Sequence, residues 1–160
     1  MSPSYHRPTT IEQALQLKSD LGTGAVFLAG GTEVNNGLAA RPVALIDLAG
    51  LGLGGLEFAA EGVRIGAGVT FQQLVDHPSI PWYLKRAATQ MANRNIRNRA
   101  TVGGHLGLNR SCADLIPTLL VAQAQVYLTD REVPIEEYLA GEPELILSVF
   151  VPTTDRGFGL

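Results

Sequence analysis

Two pairs of adjacent glycines, Gly30-Gly31 and Gly103-Gly104, are the residues of this sequence best suited to ligand chemistry. Glycine adopts positive φ and has no Cβ, so a glycine pair lets the backbone approach a ligand closely. Successive amides in such a turn can also bind an anion, and a pyrophosphate would suit the first pair, which ends an apolar run and precedes Thr32. From spacing alone an ordinary turn at a strand end is favoured. The first loop is neither a P-loop nor a Rossmann fingerprint, because it lacks both Gly-Lys-Ser/Thr and Gly-x-Gly-x-x-Gly.

Two of the polar residues after the second glycine pair are candidates for ligand binding. Asp114 precedes an apolar helix predicted from residue 117 to 125, and a carboxylate there is expected to cap the helix. The same carboxylate can accept hydrogen bonds from the hydroxyl groups of a ribose or ribityl chain. His105 can donate or accept one hydrogen bond per ring nitrogen at a ligand, or it can be an exposed loop histidine. The sequence leaves both alternatives open for each residue.

Other kinds of catalytic site find little support. The three histidines are scattered, so no metal-binding pair is predicted, and no Gly-x-Ser-x-Gly elbow exists. Cys112 is the single cysteine, which excludes an intramolecular disulfide or a cysteine-built cluster and favours a small packing residue. Arg94, Arg97 and Arg99 alternate with asparagines, but the net charge is −3, so a phosphate-facing or partner-facing segment is favoured over a nucleic-acid site.

The elements that must position these residues form a mixed α/β pattern. A helix opens at Thr9 and Thr10 and ends at Gly22. Thr70 is expected to cap a second helix. The other predicted helices cover residues 82–91, 117–125 and 135–139. The predicted strands cover residues 25–28, 43–48, 125–129 and 145–151, and a hairpin covers 56–59 and 63–67.

The length of 160 residues permits one domain or two small lobes, predicted at residues 1–53 and 54–160. No apolar run approaches the roughly 20 residues that span a bilayer, and the N-terminus lacks the apolar core of a signal peptide. A cytoplasmic protein without a membrane or nucleic-acid partner is therefore expected. The chain stops directly after a predicted strand, which suggests a truncated end.

Four segments, in order, carry a resemblance to a known family. They are AGGTE at residues 29–33, RIGAGVT at 64–70, IRNRATVGG at 96–104 and DLIPTLL at 114–120. With these segments the chain resembles the FAD-binding medium subunit of molybdenum hydroxylases, the xanthine dehydrogenase and carbon monoxide dehydrogenase group. The resemblance implies the two-lobed α/β FAD-binding architecture of vanillyl-alcohol-oxidase-like (PCMH-type) flavoproteins, with FAD between the lobes. It also implies that the C-terminal domain of the family is absent.

The resemblance further implies roles for individual residues. The first glycine loop would hold the pyrophosphate, residues 101–104 would lie along the pyrophosphate and ribityl chain, and Asp114 would bind a sugar or polyol hydroxyl. Met91 would lie near the FAD, and Ile146 or Leu147 near the flavin end. The residues implied at the cofactor are Leu28, Ala29, Gly30, Gly31, Thr32, Glu33, Val34, Met91, Ala100, Thr101, Gly103, Gly104, His105, Asp114, Ile146 and Leu147.

The implied function is an electron relay. A molybdopterin subunit and an iron–sulfur subunit would reduce the flavin, and NAD or another acceptor would remove the electrons. Two positions depart from the family, which has asparagine where this chain has His105 and a small-residue stretch where it has Arg110. Arg110 is expected to pair with a phosphate or an acid, or to be solvated. The alternative function is a truncated or degenerate FAD-type domain that serves only as an assembly module.

Overall fold

The computed structural model describes residues 2–34, 42–110 and 114–153. The helices are α1 (Ile11–Leu21), α2 (Phe71–Asp76), α3 (Trp82–Gln90), α4 (Arg94–Arg97), α5 (Val102–Leu108), α6 (Ile116–Val121) and α7 (Ile135–Ala140). The strands are β1 (Ser4–His6), β2 (Ala25–Leu28), β3 (Ala44–Asp47), β4 (Leu56–Ala59), β5 (Gly62–Gly66), β6 (Gln125–Tyr127), β7 (Glu132–Pro134) and β8 (Ser148–Pro152). The mixed α/β class expected from the sequence is confirmed.

The strands form two separate sheets. The first is parallel, with the order β1-β3-β2, so that Tyr5 and Val26 both pair with Leu45. Helix α1 packs on this sheet around a small core of Ala14, Ala25, Ala44 and Ile46. The second sheet is antiparallel, with the order β4-β5-β8-β6-β7. Its apolar residues share a much larger core with helices α2 to α7.

Local hydrogen bonds explain where several helices begin. The Thr10 hydroxyl accepts from the Gln13 amide, and α1 ends at Gly22, whose φ is +66°. Thr70 and Gln73 form a reciprocal capping box at α2. Each such cap contributes about 1 kcal/mol because it satisfies amides that have no partner within the helix. Both predicted threonine caps are therefore confirmed, as is the 56–67 hairpin.

Other predictions about the elements are wrong. Helix α6 begins at Ile116 and ends at Val121, short of the predicted residue 125, and no side chain caps it, so Asp114 is not its N-cap. Strand β8 begins at Ser148 rather than at residue 145. Val43, predicted inside a buried strand, is 63% exposed and precedes β3. The apolar pattern thus runs past the ends of α6, β3 and β8 as the structure has them.

Two contacts, one between backbones and one from a side chain, join the segment after β2 to the segment before α5. A Cβ built on Gly30, just beyond β2, would lie 1.8 Å from the Arg99 carbonyl oxygen, so only glycine permits this approach. The Arg99 Nε donates to the Gly30 carbonyl over 3.0 Å, which ties the same two segments together.

Within the described ranges no helix is both long enough and apolar enough to cross a membrane.

Candidate functional site

The junction of the two sheets contains two adjoining cavities of about 410 and 750 Å³, within the range of small-molecule and cofactor sites. The smaller cavity is lined by Phe27, Ala29, Gly30, Gly31, Thr32, Glu33, Val34, Met91, Ala92, Ile96, Ala100, Thr101, Gly104, His105, Leu108, Arg110 and Asp114. Nine of these residues also line the larger cavity, which extends to Lys18, Leu53, Arg99, Gly103, Glu144 and Ile146. The cavities therefore share a wall built from both glycine segments.

The first glycine segment supplies backbone donors to this wall. Gly31 has a φ of +70°, a conformation that strongly favours glycine, and the turn it makes leads directly to Thr32 and Glu33. Hydrogen bonds from the amides of these three residues to any other described residue are not observed. Backbone amides without a described protein partner are suited to bind an anion, which is the role that the sequence predicts for this loop.

The second glycine segment is the first turn of α5, not the loop that the sequence suggests. The Thr101 hydroxyl accepts from the Gly104 amide over 3.1 Å and caps the helix. The amide of Gly103 donates to the Ala67 carbonyl, and that of Val102 to the Val69 carbonyl. All three amides are occupied, so this segment offers a ligand a surface without a Cβ at Gly104 rather than a set of free donors.

His105 lies on α5 with its imidazole largely buried, so it is not an exposed loop histidine. Its ring meets Phe71 edge-on at 5.0 Å, and its Nε2 accepts from the Leu115 amide over 3.4 Å, which places the ring proton on Nδ1. Burial lowers the pKa of the imidazole, and the negative charge of Asp114 opposes that shift in part. The imidazole is therefore a neutral group that ties α5 to the start of α6.

The lowered pKa of His105 predicts a loss of stability in mild acid. Well above pH 6.5 the imidazole is neutral in both the folded and the unfolded chain, and the full stability is present. Below that pH the unfolded chain binds the proton first, so the free energy of unfolding falls as the pH falls toward the folded pKa. Urea unfolding of the wild type and of His105→Gln between pH 7.5 and 5 measures this slope.

The slope between pH 6.5 and 5 is expected to be smaller in His105→Gln, since glutamine does not titrate. His6→Gln is the matched control, because the His6 ring bonds only the exposed Ser4 hydroxyl in the described structure. Equal slopes in the wild type and His105→Gln would show that other groups cause the acid sensitivity.

An ion pair crosses the cavity wall. The Arg110 Nη2 lies 3.0 Å from the Glu33 Oε2, so Arg110 pairs with an acid of its own chain. That carboxylate oxygen is buried, and it has no partner of hydrogen-bond geometry among the described residues. Charge attraction alone therefore holds the pair, with the side chains 43% and 27% exposed.

The turn that carries Met91 is held by Arg97. The Arg97 guanidinium donates to the Met91 carbonyl over 3.0 Å and to the Gln72 Oε1 over 3.0 Å, which fixes this part of the wall to α2. The next residue, Ala92, has a φ of +34°, which is unusual for a residue with a Cβ. Arg94 pairs with Asp76 over 3.8 Å. With Arg99 on Gly30, all three arginines of this segment have intramolecular partners.

Most residues that the resemblance places at the cofactor are brought together. Residues 29–34, Met91, Ala100, Thr101, Gly104, His105 and Asp114 line the smaller cavity, while Gly103 and Ile146 line the larger one. Leu28 and Leu147 line neither; the Leu147 backbone bridges Ala67 and Tyr127 instead. The sequence reasoning missed Phe27 and Ile96, which flank the glycine motifs. Cys112, predicted to be a packing residue, lies outside the described residues.

Comparison with known proteins identifies the family. Residues 1–154 match the FAD binding domain in molybdopterin dehydrogenase. The chain belongs to this family. FAD is the family's cofactor, and its two-lobed architecture, expected from the sequence, is confirmed.

Curated relatives and solved structures agree with this family. The chain is 32% identical to the uncharacterized protein YgfM of Escherichia coli (94% of this chain, 59% of the relative), and 33% identical to the xanthine dehydrogenase FAD-binding subunit of Escherichia coli O157:H7 (90% and 53%). A chain of carbon monoxide dehydrogenase from Hydrogenophaga pseudoflava superposes with a TM-score of 0.90 at 26% identity, covering 98% of this chain and 61% of that one. The FAD-binding family thus accounts for nearly the whole chain, which spans somewhat over half the length of these relatives.

Proposed function

We propose that this chain is the flavin module of an oxidoreductase and holds FAD in the two adjoining cavities between lobes formed by residues 1–53 and 54–160. A molybdopterin subunit and an iron–sulfur subunit would supply electrons, and NAD or another acceptor would remove them. The observation that carries the proposal is the wall of the smaller cavity, lined both by the Gly31–Glu33 turn, whose amides have no partner among the described residues, and by Gly104 of α5.

The residues present fit the cofactor. The Gly31–Glu33 turn would hold the pyrophosphate with its amides, since they have no other described partner. The Asp114 carboxylate, which caps no helix, is available to accept from a sugar or polyol hydroxyl. Gly104 would let the cofactor lie against α5. FAD itself supplies the redox chemistry when bound, whereas the protein binds and orients it.

Among the described residues that line the cavities, His105 and Glu33 are not placed to act as acid–base catalysts. His105 accepts from a backbone amide and has a lowered pKa, and the Glu33 carboxylate is paired with Arg110. Neither arrangement provides a group poised to exchange a proton with a substrate, which suits electron transfer better than substrate oxidation at this site. Oxidation of the reducing substrate would therefore take place on a partner chain.

FAD retention is the direct test. The purified chain is incubated with FAD, freed of unbound cofactor by gel filtration, and examined by visible absorption; a retained flavin spectrum at close to one FAD per chain is expected. Titration with riboflavin runs in parallel, and it should bind at least about tenfold more weakly because it lacks the pyrophosphate. A chain folded by circular dichroism that retains no FAD would contradict the proposal and favour the non-catalytic assembly module.

A further inference from the structure

We propose that Arg110 is a binding residue for the cofactor pyrophosphate, and that Glu33 competes with the pyrophosphate for its guanidinium. This inference rests on the proposed function, since it assumes that FAD enters the cavities. The role of Arg110 is inferred from its contacts in this structure.

The balance of charge in the smaller cavity favours Arg110 as a phosphate ligand. Among the described residues that line it, Arg110 is the one arginine or lysine, whereas Glu33 and Asp114 are both acids. A pyrophosphate that enters next to the Gly31–Glu33 turn brings further negative charge close to the Glu33 carboxylate. Coulomb repulsion at such short range is large in a partly buried site, so a cation must compensate it. Arg110 is the residue placed to do so.

The geometry of the Arg110–Glu33 pair also favours a change of partner. The Glu33 Oε2 is buried and lies 3.0 Å from the guanidinium, yet it receives no hydrogen bond of good geometry from the described residues. Such a pair lacks the two parallel N–H···O bonds that make arginine–carboxylate contacts strong. A phosphate accepts from the same planar fork of donors, so it can replace the carboxylate as partner at little cost.

The position of Arg110 favours the same role. Arg110 and Glu33 line both cavities, whereas Lys18 and Arg99, the other cations of the larger one, already donate to backbone carbonyls. The Arg110 side chain is 43% exposed, which leaves it room to turn from the carboxylate toward a ligand in either cavity. The cation thus stands at the wall that the two cavities share, within reach of the anion-binding turn.

The proposal makes the two partners act with opposite sign on FAD affinity, which a simple structural salt bridge would not do. Arg110→Gln removes the cation and leaves the Glu33 carboxylate facing the pyrophosphate, so the Kd for FAD should rise about tenfold or more. Glu33→Gln removes the repulsion and frees the guanidinium, so the Kd should fall about threefold or more. The double variant should lie between the two single variants.

The experiment is a titration of the chain and its variants with FAD, followed by flavin fluorescence, with thermal unfolding of each variant measured alongside. Arg94→Gln is the matched control, since its exposed pair with Asp76 lies outside both cavity linings, and its Kd should equal that of the wild type. Riboflavin, which carries no phosphate, should show no more than a twofold difference between the wild type and Arg110→Gln.

Each result decides the matter. A Kd that rises in both single variants would assign the pair a structural role and overturn the proposal. Should Arg110→Gln fail to fold, the Kd of Glu33→Gln for FAD tests the proposal alone. An unchanged or higher Kd in that variant would contradict competition between Glu33 and the pyrophosphate for Arg110. A wild-type chain that binds no FAD would instead refute the proposed function itself, and the two failures are thereby distinguished.

Discussion

Replacement of Gly30 by alanine is expected to lower the free energy of unfolding by about 3 kcal/mol and to abolish FAD retention. The added Cβ would lie 1.8 Å from the Arg99 carbonyl oxygen and 2.6 Å from the Arg99 carbonyl carbon. These are backbone atoms, so no side-chain rotation relieves the overlap, and the two sheets must separate. Separation of the sheets moves the Gly31–Glu33 turn away from α5. The contacts to the ligand and the packing between the sheets are then lost together.

Urea unfolding and FAD retention of Gly30→Ala, measured beside Gly55→Ala, test this expectation. Gly55 is a suitable control because a Cβ there meets no atom within 4 Å and its φ is not positive. Its replacement should change the free energy of unfolding by about 0.5 kcal/mol or less. A Gly30→Ala chain as stable as the control, with FAD retained, would show that the close approach of Gly30 and Arg99 is not required.

The predictions from sequence that succeeded rest on signals within a few residues. Thr10 and Thr70 cap helices because a hydroxyl meets an amide three residues later. The 56–67 hairpin follows from alternating apolar residues on either side of Gly62, which has a φ of +158°. These interactions are local, so their energies are nearly independent of the rest of the fold, and the sequence around them is sufficient.

The predictions that failed needed information from distant residues. Asp114 has the right position for a cap, but the structure places it on the cavity wall near His105. Residues 145–147 have the apolar character of a strand, yet the sheet pairs only from Ser148 onward. Helix α5 went unrecognised because two glycines lower its helix propensity, although Thr101 as cap and the Val102–Leu106 spacing were a usable signal.

The candidate site was predictable as a set of residues and not as an arrangement. Ordered motifs located most of the wall of the smaller cavity, because the family resemblance already contains the long-range contacts that single-sequence patterns lack. The contact of Gly30 with Arg99 and the pairing of Glu33 with Arg110 each join segments about seventy residues apart. Neither hydrophobic periodicity nor composition predicts a contact between residues so far apart in the sequence. The structural role of each glycine is therefore visible only in the structure.

Substitutions at Gly103 and Gly104 are expected to separate packing from ligand binding, although the two residues are adjacent. A Cβ on Gly103 would lie 2.6 Å from the Ala67 Cβ and 3.0 Å from the Ala67 carbonyl oxygen, inside the fold. A Cβ on Gly104 would lie 3.0 Å from the Thr101 hydroxyl and 3.6 Å from the Ala29 Cβ, at the wall of both cavities. The first glycine therefore serves the core, and the second serves the site.

Gly103→Ala should lower the free energy of unfolding by about 1–3 kcal/mol, since it overpacks α5 against Ala67. Gly104→Val should unfold within about 1 kcal/mol of the wild type, because a shift of a few tenths of an ångström in the Thr101 side chain accommodates its Cβ. The same valine projects into the space beside Ala29, where the cofactor would lie, so the Kd for FAD should rise about tenfold or more.

Urea unfolding and FAD titration of both variants measure the separation, with each variant serving as the control for its neighbour. Circular dichroism of Gly104→Val must match the wild type, because the expected rise in Kd refers to a native fold with an obstructed cavity. An unchanged Kd in that native-like variant would show that α5 does not contact FAD. The Gly31–Glu33 turn would then be the main protein contact of the cofactor. A Gly104→Val chain that loses as much stability as Gly103→Ala would show instead that both glycines are needed for packing.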